Sequence, residues 1–163
     1  MKKAAIKIRL LPLWATLALF SCNLAFAQDK VDFSGKWKIN ESKSQLNEQY
    51  SSHPTTVSIT QSGNNMSVER VSNMRGQEMK FTDKYTLDGK ECKNPGFRDT
   101  ETVSTAKWST DGKSLTIDTK VSTDNGDIEM TRTLKMNGDN LQVDFTVNGS
   151  FGESSETWMF DKE

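Results

Sequence analysis

Charged side chains recur at positions where an alternating pattern would turn them toward the interior of a sheet protein. Arg132 and Asp83 each have apolar neighbours two residues away on both sides, and Arg70 follows Val68 at the same spacing. An unpaired ion in an apolar interior costs more free energy than its own strand can return. These residues therefore predict either paired charges inside the protein or a site for a charged ligand.

In the ligand interpretation, Arg132 and Arg70 bind the carboxylate of a small molecule near Asp83, and aromatic side chains pack against its apolar body. The aromatic candidates are Phe81, Tyr85, Trp108 and Phe145. In the alternative interpretation, Arg132 and Asp83 form an ion pair that holds the protein together, and Arg70 lies outside. Both interpretations stay open, because a register slip of one residue would move all side chains of a strand to the other face.

Signals for enzymatic or metal chemistry are weak. His53 is the only histidine, so a cluster of several histidine ligands is excluded and a Ser-His-Asp triad would have to use this residue. The chain has no Asp-x-Asp-x-Asp-Gly calcium loop and no Gly-rich phosphate loop. We therefore predict no catalytic residue, no metal and no cofactor. An isomerase or hydrolase that uses Asp83 with Tyr85 is the remaining enzyme hypothesis.

Short alternations of apolar and polar residues, separated by turns that contain glycine, run through most of the chain. The clearest turns are Asp88-Gly89, Asp111-Gly112, Asn125-Gly126 and Asn137-Gly138. We expect a first strand over 31–40, a loop with a short helical turn over 41–55, and an irregular segment over 92–98. The pattern predicts an all-β protein, an antiparallel up-and-down meander of eight or nine strands that closes into a single barrel and so removes its edges. A β-sandwich is the alternative.

The N-terminus has the features of a secretory signal peptide over residues 1–27. A basic start is followed by an apolar stretch from Leu10 to Phe20 and by the cleavage motif Ala25-Phe26-Ala27. This predicts an exported protein, periplasmic or extracellular, with one mature domain over 28–163. The alternative is an outer-membrane lipoprotein anchored at Cys22, because Leu19-Phe20-Ser21-Cys22 is similar to a bacterial lipobox.

The mature chain is acidic. The signal peptide takes four of the 21 basic residues and none of the 22 acidic ones, which leaves 17 basic residues and a net charge of −5. This balance argues against nucleic acid as a partner, and against a membrane unless Cys22 carries a lipid. Only Cys92 remains after cleavage, so no internal disulfide can form. We expect a monomer, with a Cys92-linked dimer as the alternative.

The stretch Phe33-Ser34-Gly35-Lys36-Trp37-Lys38-Ile39-Asn40, followed by Ser42-Lys43-Ser44, resembles the opening of small secreted lipocalin-like proteins of bacteria. The resemblance implies a lipocalin-like, calycin-type barrel in which Gly35 and Trp37 lie on the first strand at the closed end. It also implies that a cation from the last strand packs across the tryptophan, and Lys162 is the candidate. Lysine replaces the usual arginine here and makes a different contact.

Together these observations predict an exported, non-enzymatic protein that holds a small, partly apolar, carboxylate-bearing ligand in a barrel. The alternative is a protein–protein interaction module of the cell envelope with a solid core.

Overall fold

The computed structural model describes residues 29–47, 51–74, 76–96, 100–150 and 152–163. Within these residues the strands are β1 (Gly35–Ile39), β2 (Thr56–Ser62), β3 (Asn65–Met74), β4 (Gln77–Thr86), β5 (Glu91–Pro95), β6 (Glu101–Trp108), β7 (Ser114–Thr123), β8 (Gly126–Asn137), β9 (Asn140–Gly149) and β10 (Gly152–Lys162). The predicted signal peptide over 1–27, with Cys22, lies outside the described residues. In the described part of the chain, no helix has the length and apolar character to cross a membrane.

Neighbouring strands pair antiparallel in the order β4-β3-β2-β1-β10-β9-β8-β7-β6-β5. The predicted all-β antiparallel meander is therefore confirmed. The predicted number of eight or nine strands was wrong, since the described residues form ten. The additional strand is β5, which pairs with β6 inside the segment that we expected to be irregular. Pro95 did not prevent this strand, because it stands at the end of an edge strand where its missing N–H removes no ladder bond.

The first strand is shorter than the sequence predicts. It begins at Gly35, whose φ of 147° interrupts the extended chain, so residues 31–34 take another path. The helical turn after it is a 3-10 turn over Glu41–Lys43, and the side chain of Asn40 caps this turn by accepting a hydrogen bond from the backbone N of Lys43. The chain then rejoins the sheet through a bridge between Gln45 and Thr157 on β10.

The antiparallel order gives the barrel two distinct ends. The start of β1 and the connections after β2, β4, β6 and β8 lie at one end, which we call the closed end. The connections after β1, β3, β5, β7 and β9 lie at the other, which we call the mouth end.

Residues 31–34 fill the closed end. Phe33 is fully buried and stacks on Trp108, with 5.7 Å between the ring centroids and 7° between the planes. The backbone N of Val31 donates to the carbonyl of Gly112 at 3.1 Å, and Gln61 Nε2 donates to the carbonyl of Val31 at 3.0 Å. An aromatic pair of this kind adds about 0.5–1.5 kcal/mol beyond the buried area. The segment therefore acts as a plug and not as an extension of β1.

Trp37 is bonded to the same plug. Its Nε1 donates to the carbonyl of Phe33 at 3.0 Å, and Lys162 Nζ lies 5.6 Å from its ring centroid. A methyl group added at Gly35 would lie 3.4 Å from Lys162 Cε, and the glycine thus leaves room for the lysine to cross the indole. A cation over an indole face contributes about 0.5–2 kcal/mol.

β4 and β5 meet without a backbone ladder in the described residues. The side-chain amide of Asn94 bonds both backbone groups of Lys84 instead: Oδ1 accepts from its N at 2.7 Å and Nδ2 donates to its O at 3.0 Å. Beside it, the backbone N of Thr86 donates to the Sγ of Cys92 at 3.1 Å. Two side chains therefore close the barrel at this boundary, which we call the β4–β5 seam.

The interior is mostly apolar, with a few polar groups among the apolar side chains. The buried polar and charged residues are Asp83, Asn94, Ser104, Thr119 and Glu156. All of these lie on the inward-facing parity of their strands, as their cross-strand partners show. The fold thus carries polar groups into the otherwise apolar interior of the barrel.

Candidate functional site

An ion pair spans the two strands β3 and β4 inside the barrel. Arg70 pairs with Phe81 and Val68 pairs with Asp83, so Arg70 and Asp83 are diagonal neighbours on the inner face. Both Nε and Nη2 of Arg70 donate to Oδ2 of Asp83, at 3.0 and 2.6 Å. The Asp83 side chain is buried and that of Arg70 is partly buried. The negative charge of Asp83 is therefore balanced by Arg70.

Arg132 lies in the same interior, on β8, and no carboxylate among the described residues pairs with its charge. Its guanidinium carbon lies 5.4 Å from the ring centroid of Phe145, and its Nη2 lies 3.7 Å from the sulfur of Met130. Its Nε is buried and has no hydrogen-bond partner among the described residues. Burial, followed by the nearby charge of Arg70, lowers the pKa of Arg132. A guanidinium stays protonated in proteins, so the site holds a cation whose buried donor is unsatisfied.

Tyr85 contributes a hydroxyl group to this cluster from β4. Its side chain is buried, and burial followed by the Asp83 carboxylate raises its pKa. The phenol is therefore protonated at neutral pH, and its side chain is hydrogen-bonded to the Asp83 carboxylate. Because Asp83 is bonded by both Arg70 and Tyr85, this cluster favours binding of an anion at Arg132 over proton transfer.

A cavity of about 30 Å³ lies between these side chains. Its polar lining residues are Arg70, Tyr85 and Arg132. Its apolar lining residues are Pro54, Val57, Ile59, Val68, Ile117, Leu134, Leu141, Val143, Trp158 and Phe160. A cavity needs about 10–15 Å³ to hold one water molecule. The enclosed space therefore accommodates a group as small as a carboxylate head, and the body of any larger molecule must lie elsewhere.

The structure brings most of the predicted site residues together. Arg132, Arg70 and Tyr85 line the cavity, and Asp83 is bonded to Arg70. Phe81 lies under the Arg70 guanidinium at 5.5 Å and Phe145 under that of Arg132.

Two details differ from expectation. Trp108 lies in the plug at the closed end, where it stacks on Phe33 and lies 5.6 Å from Lys30 Nζ. The alternative pair of Arg132 with Asp83 does not form, because Arg70 occupies the carboxylate. The register between β3 and β4 decides this partner, and sequence parity does not fix the register.

The sequence reasoning missed a second buried carboxylate, Glu156 on β10. It accepts hydrogen bonds from Trp158 Nε1 at 2.6 Å, from Ser51 Oγ at 3.0 Å and from the backbone N of Asn47 at 2.9 Å. All three donors are neutral. Glu156 shares its parity with Trp158 and Phe160, so the alternation of β10 carried the signal that could have found it. This carboxylate ties the segment after β1 to the mouth end of the barrel.

His53 lies beside this carboxylate but does not form a catalytic triad. Its Nδ1 lies 2.7 Å from Ser51 Oγ, and its Nε2 lies 3.7 Å from a carboxylate oxygen of Glu41. A carboxylate can only accept, so the single hydroxyl proton of Ser51 is given to Glu156 and not to the imidazole. The hydrogen bonds of Ser51 therefore anchor the segment after β1 to the barrel. Within the described residues, no three His, Cys, Asp or Glu side chains are placed to hold a metal ion.

No protein-family model matches the chain, and a comparison with curated proteins finds no match. Among solved structures, the chain is similar to the ileal bile acid-binding protein of zebrafish in complex with cholic acid, with a TM-score of 0.53. The identity is 14%, and the match covers 80% of this chain and 98% of that one. The chain has a calycin-like β-barrel fold. At this identity the likeness concerns the fold alone, and the interior of the calycin-like barrel must be interpreted from its own side chains.

Proposed function

We propose that this calycin-like barrel is an exported binding protein for a small molecule with a carboxylate head and a partly apolar body. Arg132 is the counter-ion of the head, and the Arg70–Asp83 pair, with Tyr85 beside it, fixes the wall on the opposite side. The zebrafish protein is named for bile acids, which combine a carboxylate with an apolar body, and its likeness in fold is in keeping with this class of ligand.

The observation that carries the proposal is the buried Nε of Arg132, which has no partner among the described residues. An unsatisfied buried donor costs about 1–3 kcal/mol, and more when it is charged. A ligand that supplies an acceptor would remove this cost. A carboxylate oxygen in the adjoining cavity would do so with a charge-assisted hydrogen bond.

The body of the ligand has a path toward the mouth end. Phe81, Met130 and Val147 are partly exposed, and all three lie on the inward-facing parity of their strands. Flexible methionines adapt to ligands of different shape. The carboxylate therefore lies at the inner end of the site and the apolar part toward the mouth.

A second candidate is an interaction module of the cell envelope with a solid core. The cavity of only about 30 Å³ favours it, because the enclosed part of the barrel is nearly filled by its own side chains. In that case Arg132 is a structural charge, and the outer surface carries the function.

The test is a calorimetric titration of the mature protein with dodecanoate, with dodecanol as the matched neutral probe. We expect dodecanoate to bind at least tenfold more tightly than dodecanol, since a hydrogen bond to a charged group contributes about 1.5–3 kcal/mol. The substitution Arg132→Met should abolish this preference at nearly constant side-chain volume. Lys107→Met, which removes an exposed cation of β6, is the control and should keep it.

Binding of neither probe, or equal loss of affinity in both variants, would reject the binding barrel and favour the interaction module. Native mass spectrometry of protein purified from its own host gives an independent check. A bound small acid that is present in wild type and lost in Arg132→Met would support the assignment.

A further inference from the structure

The outer face of β9 and β10 carries an open depression of about 510 Å³ that the barrel interior does not explain. Its lining residues are Lys43, Gln45, Asn137, Asn140, Gln142, Thr157 and Met159. This volume lies in the range of about 300–1,000 Å³ that is typical of small-molecule sites.

Met159 is the apolar floor of this depression. It is 8% exposed, and among the buried hydrophobic side chains of the described residues it alone is not part of the core. Its neighbours on β10, Trp158 and Phe160, point inward, so Met159 faces the outside of the barrel. The exposed edge of Met159 is the apolar part of a depression whose other lining side chains are polar.

Two carboxylates hold the polar walls in place. Asp161 accepts from Lys43 Nζ at 2.8 Å, from Asn40 Nδ2 at 2.6 Å and from Asn140 Nδ2. Side chains that are already held by a bonded carboxylate lose little conformational freedom when a ligand binds.

Asp144 fixes the other wall in the same way. It accepts from Lys135 Nζ at 2.8 Å, from Gln142 Nε2 at 2.8 Å and from Thr157 Oγ1 at 3.2 Å. Each carboxylate is matched by one lysine, so the walls are electrically neutral in sum. A neutral depression does not select a charged ligand.

The amides of the walls keep capacity for further hydrogen bonds. Asn137 Nδ2 donates to Gln142 Oε1. The side-chain carbonyl oxygens of Asn137 and Asn140 accept no hydrogen bond from the described residues. Gln45 is bonded to Thr157 through its backbone. Its side-chain amide makes no hydrogen bond with the described residues. Amides offer donors and acceptors side by side, and a hydroxyl group, itself both donor and acceptor, is the complementary ligand group.

We infer that this depression binds a neutral polyhydroxylated molecule, namely a saccharide unit. Its hydroxyl groups bond the amides of Gln45, Asn140 and Gln142, and its C–H groups contact the exposed edge of Met159. This inference is independent of the function proposed for the barrel interior, because the two sites lie on opposite faces of the same strands.

The test is an NMR titration that follows the Met159 methyl signal with maltotriose and with chitotriose, two neutral probes. We expect a saturable shift with at least one of them, little change with salt, and loss of the shift in Gln142→Ala. Ser58→Ala, on the outer face of β2, is the matched control and should keep it. A trisaccharide of glucuronate should bind more weakly than the neutral probes.

No shift with either neutral probe would overturn the inference. So would a shift that survives Gln142→Ala, or tighter binding of the charged trisaccharide. None of these outcomes bears on the binding of dodecanoate in the barrel interior.

Discussion

Arg70 donates two hydrogen bonds to a single carboxylate oxygen of Asp83, at 3.0 and 2.6 Å. Among the described residues, the pairing leaves Arg132 as a cation without a carboxylate partner. The two arginines therefore have different roles. Arg70 is part of the wall of the barrel, whereas Arg132 supplies the charge that we assign to ligand binding. Removal of the counter-ion of Arg70 should therefore destabilise the fold, whereas removal of the Arg132 charge should not.

The substitution Asp83→Ala should strongly destabilise the protein. It leaves the guanidinium of Arg70 without its counter-ion in a partly buried position, and breaking a buried pair in this way costs about 3–5 kcal/mol. Urea unfolding followed by tryptophan fluorescence measures the loss. Asp139→Ala, in the exposed turn between β8 and β9, is the control. A change in Asp83→Ala as small as in this control would show that Arg70 does not depend on the pair.

The substitution Arg132→Met should leave the free energy of unfolding unchanged or raise it, by up to about 1–4 kcal/mol. The pKa of Arg132 is lowered by burial and by Arg70, so its charged form is disfavoured in the folded protein. Removal of that charge relieves the cost while the volume is nearly kept. Thermal unfolding without ligand measures the effect. A large loss of stability would identify Arg132 as a structural residue and argue against the ligand site.

The sequence predicted the meander because hairpin turns and alternation are local signals, and both depend on residues close together in the chain. The same alternation pointed Arg132, Asp83 and Tyr85 inward. Parity does not reveal which arginine meets Asp83, because that depends on the register between β3 and β4. Trp108 is a second example. The alternation predicted that it points inward, but it does not reveal that Trp108 lies at the closed end, where it stacks on Phe33 of the plug.

The substitution Asn94→Ala should weaken the β4–β5 seam. It removes the acceptor and the donor that serve the backbone of Lys84, and an unsatisfied buried group costs about 1–3 kcal/mol. Hydrogen exchange at the amide of Lys84 should become faster than at amides within the other strand pairs. Asn148→Ala, at an exposed position of β9, is the control. Unchanged protection of Lys84 would show that the seam is held by other groups.

The substitution Glu156→Gln should loosen the segment after β1 from the mouth end. The carboxylate accepts from Trp158, Ser51 and Asn47, and a neutral amide has one acceptor oxygen in place of two. We expect a loss of about 1–3 kcal/mol for hydrogen bonds to a charged group. Unfolding and the near-ultraviolet circular dichroism of Trp158 should both report it. Glu153→Gln, exposed on the same strand, should change neither.

The stabilisation that Asp161 provides should depend on pH. The hydrogen bond from Lys43, followed by that from Asn40, lowers the pKa of Asp161 in the folded protein. A carboxyl group whose folded pKa lies below its unfolded value stabilises the fold above the unfolded pKa of about 3.9 and loses this effect as the pH falls through the folded pKa. The difference in unfolding free energy between wild type and Asp161→Asn should therefore be constant near neutral pH and shrink in acid. Asp139→Asn serves as the control. A difference between wild type and Asp161→Asn that keeps its neutral value through this acid range would mean that the ionised carboxylate is not what holds Lys43 and Asn40 to β10.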